Sequence, residues 1–459
     1  MEALESYIEA RARKFEDDVC ELLRIPSVST DPGYRAEIDR AAQWVVSRLR
    51  AAGLYAELIG TDGHPLVYAE SPKAEAAPCA LIYGHYDVQP ADPLEAWISP
   101  PFEPAVHDGN IYARGASDDK GQFLTHVFSA EAWLATHGRL PLNLKYIIEG
   151  EEEIGSPSLR AFLSQHGDRL ACDCVVISDG AQFAPGQPAI TYGLRGIAYF
   201  DLVLHGPARD LHSGSFGGTV TNPANVLARM LAALIDSKGR VQVPGFYDDV
   251  LPLSEEERRA LASLPFDEQK YFEQVGVDGA VGEEGYTVLE RRWARPTYDV
   301  NGLWGGYQGA GAKTVLPAQA GAKFSFRLVP HQKPERIAEA LRQMLQAMCP
   351  PGIRMELVTQ HNSPAVLVSL ESPYVQAAAR AVEAVFGRKP VYTREGGSIP
   401  IVVDFYQRLQ ADTLLIGWGL DDDNAHSPNE KFSLTDFHRA IHTSARLWQE
   451  LGTVEPKRR

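Results

Sequence analysis

The stretch that decides the fold runs from Cys79 to Gly121 and opens with Cys79-Ala-Leu-Ile-Tyr83, an apolar run that predicts a buried strand. His85 and Asp87 follow directly after this run. Side chains two residues apart on a strand point to the same side, so we expect His85 and Asp87 to lie side by side at its carboxyl end. Open α/β sheets bind ligands at that end, and a carboxylate beside a ligating His commonly orients the ring.

Three further apolar runs also end in polar residues. The runs are 144–148, 174–177 and 413–416, and the residues that follow them include Glu149-Gly-Glu-Glu-Glu153, Ser178-Asp179 and, beyond an acidic loop, His426. The opening stretch itself closes with Ser117-Asp-Asp-Lys-Gly121. Imidazoles and carboxylates suit zinc, manganese or cobalt, and one carboxylate can bridge two ions. The sequence therefore predicts a metal centre at the carboxyl ends of the strands.

The first part of the chain alternates helix and strand patterns, which predicts an α/β domain with a mainly parallel sheet. The predicted helices cover 4–23, 38–52 and 122–137, and further strands are predicted at 54–59 and 66–69. Helices opened by Pro373 and by Ser433 should return the chain to this domain, because His426 must reach the same metal centre.

The pattern changes near Tyr192 and predicts a small inserted α+β domain. Its predicted elements are a strand at 196–205, a helix opened by Asn222-Pro223, a strand at 323–329, a helix opened by Pro334 and a strand at 354–359. An irregular, acidic connection is expected at about 240–320. The predicted division is 1–191 and 366–459 for the first domain and 192–365 for the insertion.

Composition limits the partners that the protein can have. The 459 residues carry a net charge of −16, which argues against nucleic acid and anionic membranes as partners. The five cysteines are odd in number and show no CxxC spacing, which favours core thiols in a reduced, cytoplasmic setting. We see no targeting segment and no apolar run of membrane-spanning length, so we expect a cytoplasmic protein.

Each candidate residue also has an ordinary structural interpretation. A run of acids such as 151–153 is usually a solvated charge cluster, but this run directly follows a buried strand. A metal hydrolase needs one carboxylate as ligand and another to take a proton from water, and spacing alone does not divide these tasks. Asp118 and Asp119 can form an acidic turn before a helix, and His212 or His426 alone would usually be a loop histidine.

Seven motifs occur along the chain. They are His85-Tyr-Asp87-Val, Arg114-Gly-Ala-Ser-Asp118-Asp119-Lys-Gly, Glu149-Gly-Glu-Glu152-Glu153-Ile-Gly-Ser, Ile177-Ser-Asp179, Asp210-Leu-His212-Ser-Gly, Arg394-Glu-Gly-Gly-Ser398-Ile-Pro and Ala425-His426-Ser427. Taken together, these motifs resemble one family of di-metal peptidases, and the resemblance extends from about residue 20 to the end of the chain. That family includes cytosolic non-specific dipeptidases, carnosinases, aminoacylases and succinyl-diaminopimelate desuccinylase, and the fifth and sixth motifs with the long insertion resemble its carnosinase-type branch.

The resemblance implies two divalent metal ions, with zinc expected and manganese or cobalt as alternatives. Asp118 would bridge the ions, His85 and Asp179 would bind one of them, and Glu153 and His426 would bind the other.

The resemblance also implies roles for the residues around the ions. Glu152 would be the general base, Asp87 would support His85, and the peptide bond between Asp118 and Asp119 would be cis. The inserted domain would act as a lid and form a homodimer, so that His212 stabilises the oxyanion in the neighbouring subunit. Arg327 would bind the substrate carboxylate, and the remaining pocket positions would be Thr314, His361, Glu395 and Ser398. Glu151 is an extra acid that the family pattern does not include.

Three functions follow as hypotheses. The first is a metal-dependent dipeptidase that cleaves small dipeptides with water activated by the metals and Glu152. The second is an N-acyl-amino-acid amidohydrolase or carboxypeptidase with the same metal centre, although Glu395 would suit the free ammonium group of a dipeptide. The third is a non-catalytic binding protein, which the complete ligand set and the presence of Glu152 disfavour.

Overall fold

The computed structural model describes residues 1–397 and 399–457 and shows a mixed α/β protein. The helices are α1 Glu2–Leu23, α2 Arg35–Ala51, α3 Lys120–His137, α4 Pro157–His166, α5 Ser213–Phe216, α6 Pro223–Ala232, α7 Glu255–Ala262, α8 Glu268–Val275, α9 Val288–Trp293, α10 Pro334–Ala347, α11 Pro373–Phe386, α12 Pro400–Leu409 and α13 Leu434–Leu451. Short 3-10 turns lie at Pro32–Tyr34, Leu94–Ala96, Glu152–Ile154 and Gly167–Leu170.

The strands are β1 Tyr55–Ile59, β2 Leu66–Glu70, β3 Cys79–His85, β4 Ala105–His107, β5 Asn110–Tyr112, β6 Asn143–Glu149, β7 Cys174–Ile177, β8 Ala189–Leu194, β9 Gly196–His205, β10 Leu211–His212, β11 Thr297–Gly305, β12 Val315–Leu316, β13 Gln319–Leu328, β14 Arg354–Ser363, β15 Val366–Leu367, β16 Val391–Glu395, β17 Asp412–Leu415 and β18 Lys431–Ser433. The chain forms two compact units, the first comprising 1–192, 368–393 and 400–457 and the second comprising 193–367, 394–397 and 399.

The first unit is built on a sheet with the strand order β1-β2-β6-β3-β7-β17-β8. The four central strands β6, β3, β7 and β17 are parallel, and the outer pairs are antiparallel. The prediction of a mainly parallel sheet is therefore confirmed at the centre. These strands are buried almost throughout, which explains why their sequences are continuous apolar runs rather than alternating ones.

Helices α1, α3 and α13 pack together in the first unit, and α11 packs against α13. Apolar side chains join them, for example Phe15 and Phe128, whose stacked rings have centroids 4.4 Å apart. The predicted cap Ser433 is confirmed, since its hydroxyl accepts a hydrogen bond from the backbone N–H of Asp436 at 3.2 Å. Helix α3 begins two residues after Asp118.

The second unit contains an antiparallel sheet with the order β11-β13-β9-β14. Helices α6 and α10 supply apolar side chains to one core with the sheet, which includes Phe200, Phe324 and Phe326. The predicted start of α6 is confirmed, because the side chain of Asn222 accepts a hydrogen bond from the N–H of Ala224.

The prediction of an irregular connection at about 240–320 is wrong. This region contains helices α7, α8 and α9, and strand β11 pairs with β13 over most of its length. Strand β11 lies at the edge of its sheet and is largely exposed, and it carries Asp299, Asn301 and Gly302. An exposed edge strand does not need alternating apolar residues, so its sequence lacked a strand signal.

Among the residues that the structure describes, we find no helix that is both long and apolar enough to cross a membrane.

Candidate metal centre

Residues from five separate segments of the first unit meet at the carboxyl ends of its parallel strands. His85 is the last residue of β3, and Asp179 lies two residues after β7. Glu153 lies in the 3-10 turn after β6, Asp118 precedes α3, and His426 lies in the loop between β17 and β18. Because β3, β6, β7 and β17 run parallel and in register, residues after their ends converge on one place.

Asp118 lies between the two histidines. Its Oδ1 atom is 3.0 Å from Nε2 of His85, and its Oδ2 atom is 2.8 Å from Nε2 of His426. Nε2 of His85 is also 3.8 Å from Oδ2 of Asp179, and Nε2 of His426 is 3.3 Å from Oε2 of Glu153. The result is two groups of three possible ligands, each spanning no more than 4.8 Å, that share Asp118.

The ring of His85 is oriented to face the other possible ligands. Its Nδ1 atom lies 3.0 Å from the backbone oxygen of Asp87, and because a carbonyl only accepts, Nδ1 carries the proton. In the neutral ring Nε2 then carries the lone pair, and this atom faces Asp118 and Asp179. Nε2 is fully buried and makes no hydrogen bond of good geometry to the residues described. A buried ring nitrogen in this state fits a metal ion.

The carboxylate of Asp87 holds the turn that carries the acids. It accepts hydrogen bonds from the backbone N–H groups of Glu152, at 3.3 Å, and Glu153, at 3.1 Å. Asp87 thus links the position of His85 to the positions of both glutamates.

The three consecutive acids have different environments. Glu151 points away from the centre, since its carboxylate accepts hydrogen bonds from the N–H groups of His64 and Ser158 at 2.8 and 2.9 Å. Glu153 belongs to one of the ligand groups. Glu152 belongs to neither group, although its charge interacts with those of Asp179 and Glu153. The fold therefore gives the three acids different surroundings, which the spacing alone did not reveal.

The clustered carboxylates of the centre favour a bound cation. Burial, and after it the charge of Asp118, raise the pKa of Asp179 to about 7. Burial likewise raises the pKa of Glu152 to about 8. Hydrogen bonds to Asp118 and Glu153 raise the pKa of His426 to about 10. A cluster with this excess of carboxylates is stabilised by divalent ions, and its nitrogen and oxygen atoms are ligands that such ions accept.

Two contacts of the centre were not predicted. The side-chain amide of Gln89 donates a hydrogen bond to Oε2 of Glu153 at 2.6 Å, and Oδ2 of Asp119 accepts one from the N–H of His85 at 3.2 Å. The predicted cis peptide bond between Asp118 and Asp119 is confirmed. Gln89 lies beyond the end of β3, where no strand periodicity applies, so no sequence pattern marked it.

Two of the predicted pocket residues meet within the second unit. His212 on β10 is exposed and pairs with Val315 on β12. Its Nδ1 atom accepts a hydrogen bond from the N–H of Gly214 at 3.0 Å, so the ring is held in place. Thr314 is adjacent, since its carbonyl accepts a hydrogen bond from Ser213 at 3.1 Å.

Three other predicted pocket residues are also in the second unit. Arg327 lies on β13 and His361 on β14, while Glu395 ends β16. Arg327 and Glu395 both lie close enough to Arg195 to influence its pKa, which burial first and Arg327 next lower to about 10. Ser398 lies outside the described residues.

Comparison with known proteins agrees with this geometry. The sequence profile of Peptidase family M20/M25/M40 matches residues 81–450. The chain is 32% identical over 472 residues to the Cys-Gly metallodipeptidase dug1 of Schizosaccharomyces pombe, and the match covers 99% of each chain. The chain therefore belongs to Peptidase family M20/M25/M40, which confirms the resemblance seen in the motifs and makes the protein a peptidase hydrolase.

Two solved structures are similar over nearly the whole chain. The structure of human carnosine dipeptidase 1 is 31% identical, with a TM-score of 0.82 and 99% of each chain covered. The M20 family metallo-carboxypeptidase Sso-CP2 from Sulfolobus solfataricus is 35% identical, with a TM-score of 0.86, and the match covers 96% of this chain and 99% of that one. The protein thus shares its fold with peptidases that are named for two different substrate classes.

Proposed function

We propose that this protein is a dipeptidase that uses two divalent metal ions, with zinc as the expected metal and manganese or cobalt as alternatives. One observation carries the proposal: two possible ligand groups share Asp118, and Glu152 lies beside them without belonging to either. The relatives named as Cys-Gly metallodipeptidase and carnosine dipeptidase support dipeptides as the substrate class.

The residues present fit a pair of ions in defined positions. His85 and Asp179 would hold one ion, Glu153 and His426 the other, and Asp118 both. When bound, the ions would supply polarisation of the scissile carbonyl and a more acidic water molecule.

The protein's own residues would then move and hold the reacting groups. Glu152 is the proposed base that takes the proton from water and passes it to the leaving amine. Asp87 keeps the proton of His85 on Nδ1 and holds the backbone of Glu152 in place. The second contact would fix the backbone from which the side chain of Glu152 reaches the substrate.

The second unit is proposed to supply substrate recognition. His212 would donate a hydrogen bond to the oxyanion, and Arg327 would pair with the substrate carboxylate. Glu395 would pair with a free ammonium group, and the remaining proposed pocket residues are Thr314, His361 and Ser398. Such contacts would favour short substrates with both termini free.

We further propose a homodimer formed through the second unit and a reducing, cytoplasmic location. The first rests on the family resemblance and the second on the cysteine pattern. Sedimentation of the active protein tests the dimer, and an active monomer would exclude a role for His212 in a neighbouring subunit.

A second candidate function is that of a carboxypeptidase or N-acyl-amino-acid amidohydrolase, and the 35% identity to a metallo-carboxypeptidase favours it. The test compares dipeptides with N-acetyl and N-succinyl amino acids, on chelated protein and again after zinc or manganese is restored. Metal-dependent cleavage of dipeptides with little N-acyl turnover is expected. The reverse preference would retain the metal centre and move the substrate class to the second candidate, and no turnover of either would favour a binding protein.

A further inference from the structure

We infer that Glu430 is a positioning residue that fixes the backbone of residues 115–118 and thereby aims the carboxylate of Asp118 at both metal positions. The inference rests on the proposed function, because it takes Asp118 to be the shared metal ligand. Glu430 belongs to none of the ligand groups, and no motif marked it.

Four donors converge on the carboxylate of Glu430. Oε2 accepts hydrogen bonds from the N–H of Gly115 and from the guanidinium of Arg114, both at 2.8 Å. Oε1 accepts from the N–H groups of Ser117, at 2.9 Å, and Asp118, at 3.1 Å. Successive backbone N–H groups that face one anion form a nest, and here the anion belongs to the protein itself.

Glu430 is in turn held by regular structure. Its carbonyl accepts a hydrogen bond from the N–H of Ala113 at 3.0 Å, and the next residue begins β18, which pairs with β5. The residue is fully buried, as is Arg114, whose guanidinium also lies over the ring of Trp97. The carboxylate is therefore held in one position, and its hydrogen bonds determine the conformation of the loop that carries Asp118.

Two other side-chain contacts of the same loop involve Ser117 alone. Oγ of Ser117 donates to Oδ2 of Asp423 at 3.2 Å, and the side chain of Gln122 donates to the carbonyl of Ser117 at 2.8 Å. Among these contacts, only the hydrogen bond to Glu430 involves the N–H of Asp118. Loss of the Glu430 carboxylate would leave buried N–H groups without an acceptor, and the loop would relax to satisfy them.

A shift of this loop has a specific consequence. Oδ1 and Oδ2 of Asp118 face different histidines, so a movement of its backbone disturbs both ligand groups at once. A change in Glu153, by contrast, touches one group only. Residues that orient metal ligands typically contribute about 10–100-fold to metal affinity.

The test measures the dissociation constants of both metal positions by competition with a chromophoric chelator, using Zn²⁺ or Co²⁺ and the full chain. Glu430→Gln keeps the side-chain shape but turns one acceptor into a donor, and both positions are expected to weaken by at least about tenfold. The matched control is Glu283→Gln. Glu283 is likewise buried and paired with Arg295 and Arg240, but it lies in the second unit. This control is expected to leave both constants unchanged.

Each outcome decides a different point. A wild-type chain that does not bind two ions would overturn the proposed function rather than this inference. Wild-type affinities in a folded Glu430→Gln protein, weakening of one position alone, or equal weakening in the control would each overturn the inference. If Glu430→Gln does not fold, Glu430→Asp keeps the charge but shortens the side chain, which draws the carboxylate back from the loop. That variant is expected to weaken both positions, and wild-type affinities would again overturn the inference.

Discussion

Replacement of Glu152 by Gln tests the proposed division of tasks among the three acids. Glutamine has the same shape, and the backbone N–H that bonds to Asp87 at 3.3 Å is unchanged, so the turn should keep its conformation. Since Glu152 is in neither ligand group, both ions should remain bound. The amide cannot accept a proton, so the base function alone is removed.

The expected loss follows from the role assigned to Glu152. A positioned general base contributes about 10²–10⁴-fold to a reaction rate, which corresponds to about 2.7–5.4 kcal/mol of activation free energy. We therefore expect kcat to fall by at least about a hundredfold. The assay follows ninhydrin-reactive products from a free dipeptide, and bound metal is measured on the same samples by plasma mass spectrometry.

A neighbouring acid provides the control. Glu151→Gln removes a carboxylate that bonds to the backbone of His64 and Ser158 instead of facing the metal centre. This variant should lose stability while its kcat stays close to that of the wild type. Full activity in Glu152→Gln, or loss of its bound metal, would refute the assignment of Glu152 as the base.

Three further changes test other parts of the account. Glu153→Ala and Asp179→Ala each remove a carboxylate from one ligand group, so each variant should keep one ion per chain, and retention of two ions would contradict the grouping. His212→Ala should lower kcat by about 10²–10³-fold, as loss of an oxyanion donor does. Arg327→Met should instead chiefly raise KM, because Arg327 is proposed to bind the substrate carboxylate. The opposite pattern would exchange the roles proposed for these two residues. His126 is fully buried, and burial lowers its pKa to about 3. Below about pH 6.5 the unfolded chain therefore binds a proton at this residue that the folded chain does not, so stability falls as the pH falls. The loss from this residue alone is about 1.3 kcal/mol between about pH 7 and about pH 5.5. Urea unfolding of chelated protein should show a smaller pH dependence in His126→Gln, and an unchanged dependence would contradict the argument.

The buried strands could be predicted from sequence because burial on both faces demands continuous apolar runs. The runs 144–148 and 174–177 became β6 and β7 almost to the residue. Strand β11 could not be predicted in this way, because an exposed edge strand has no such requirement. Local pattern therefore predicted the sheet that carries the metal centre better than the edge of the second unit.

The ligand candidates could be predicted as residue types placed after strands, but their separate surroundings could not. Glu151 differs from its two neighbours only through contacts with His64 and Ser158, which the fold brings to it. Glu430 lies more than three hundred residues from the loop that it holds, and a single acid near the end of the chain carries no local signal. Such contacts depend on tertiary structure and become visible only once the strands are assembled.

The most direct test of the account is a metal titration of chelated protein with a free dipeptide as substrate. Zinc or manganese is added stepwise while bound metal and hydrolysis are measured together. The account predicts no hydrolysis without metal, two ions bound per chain at saturation, and full activity only when both positions are filled. Hydrolysis by the metal-free chain, or saturation at a single ion with full activity, would contradict the shared role of Asp118 and with it the proposed di-metal centre.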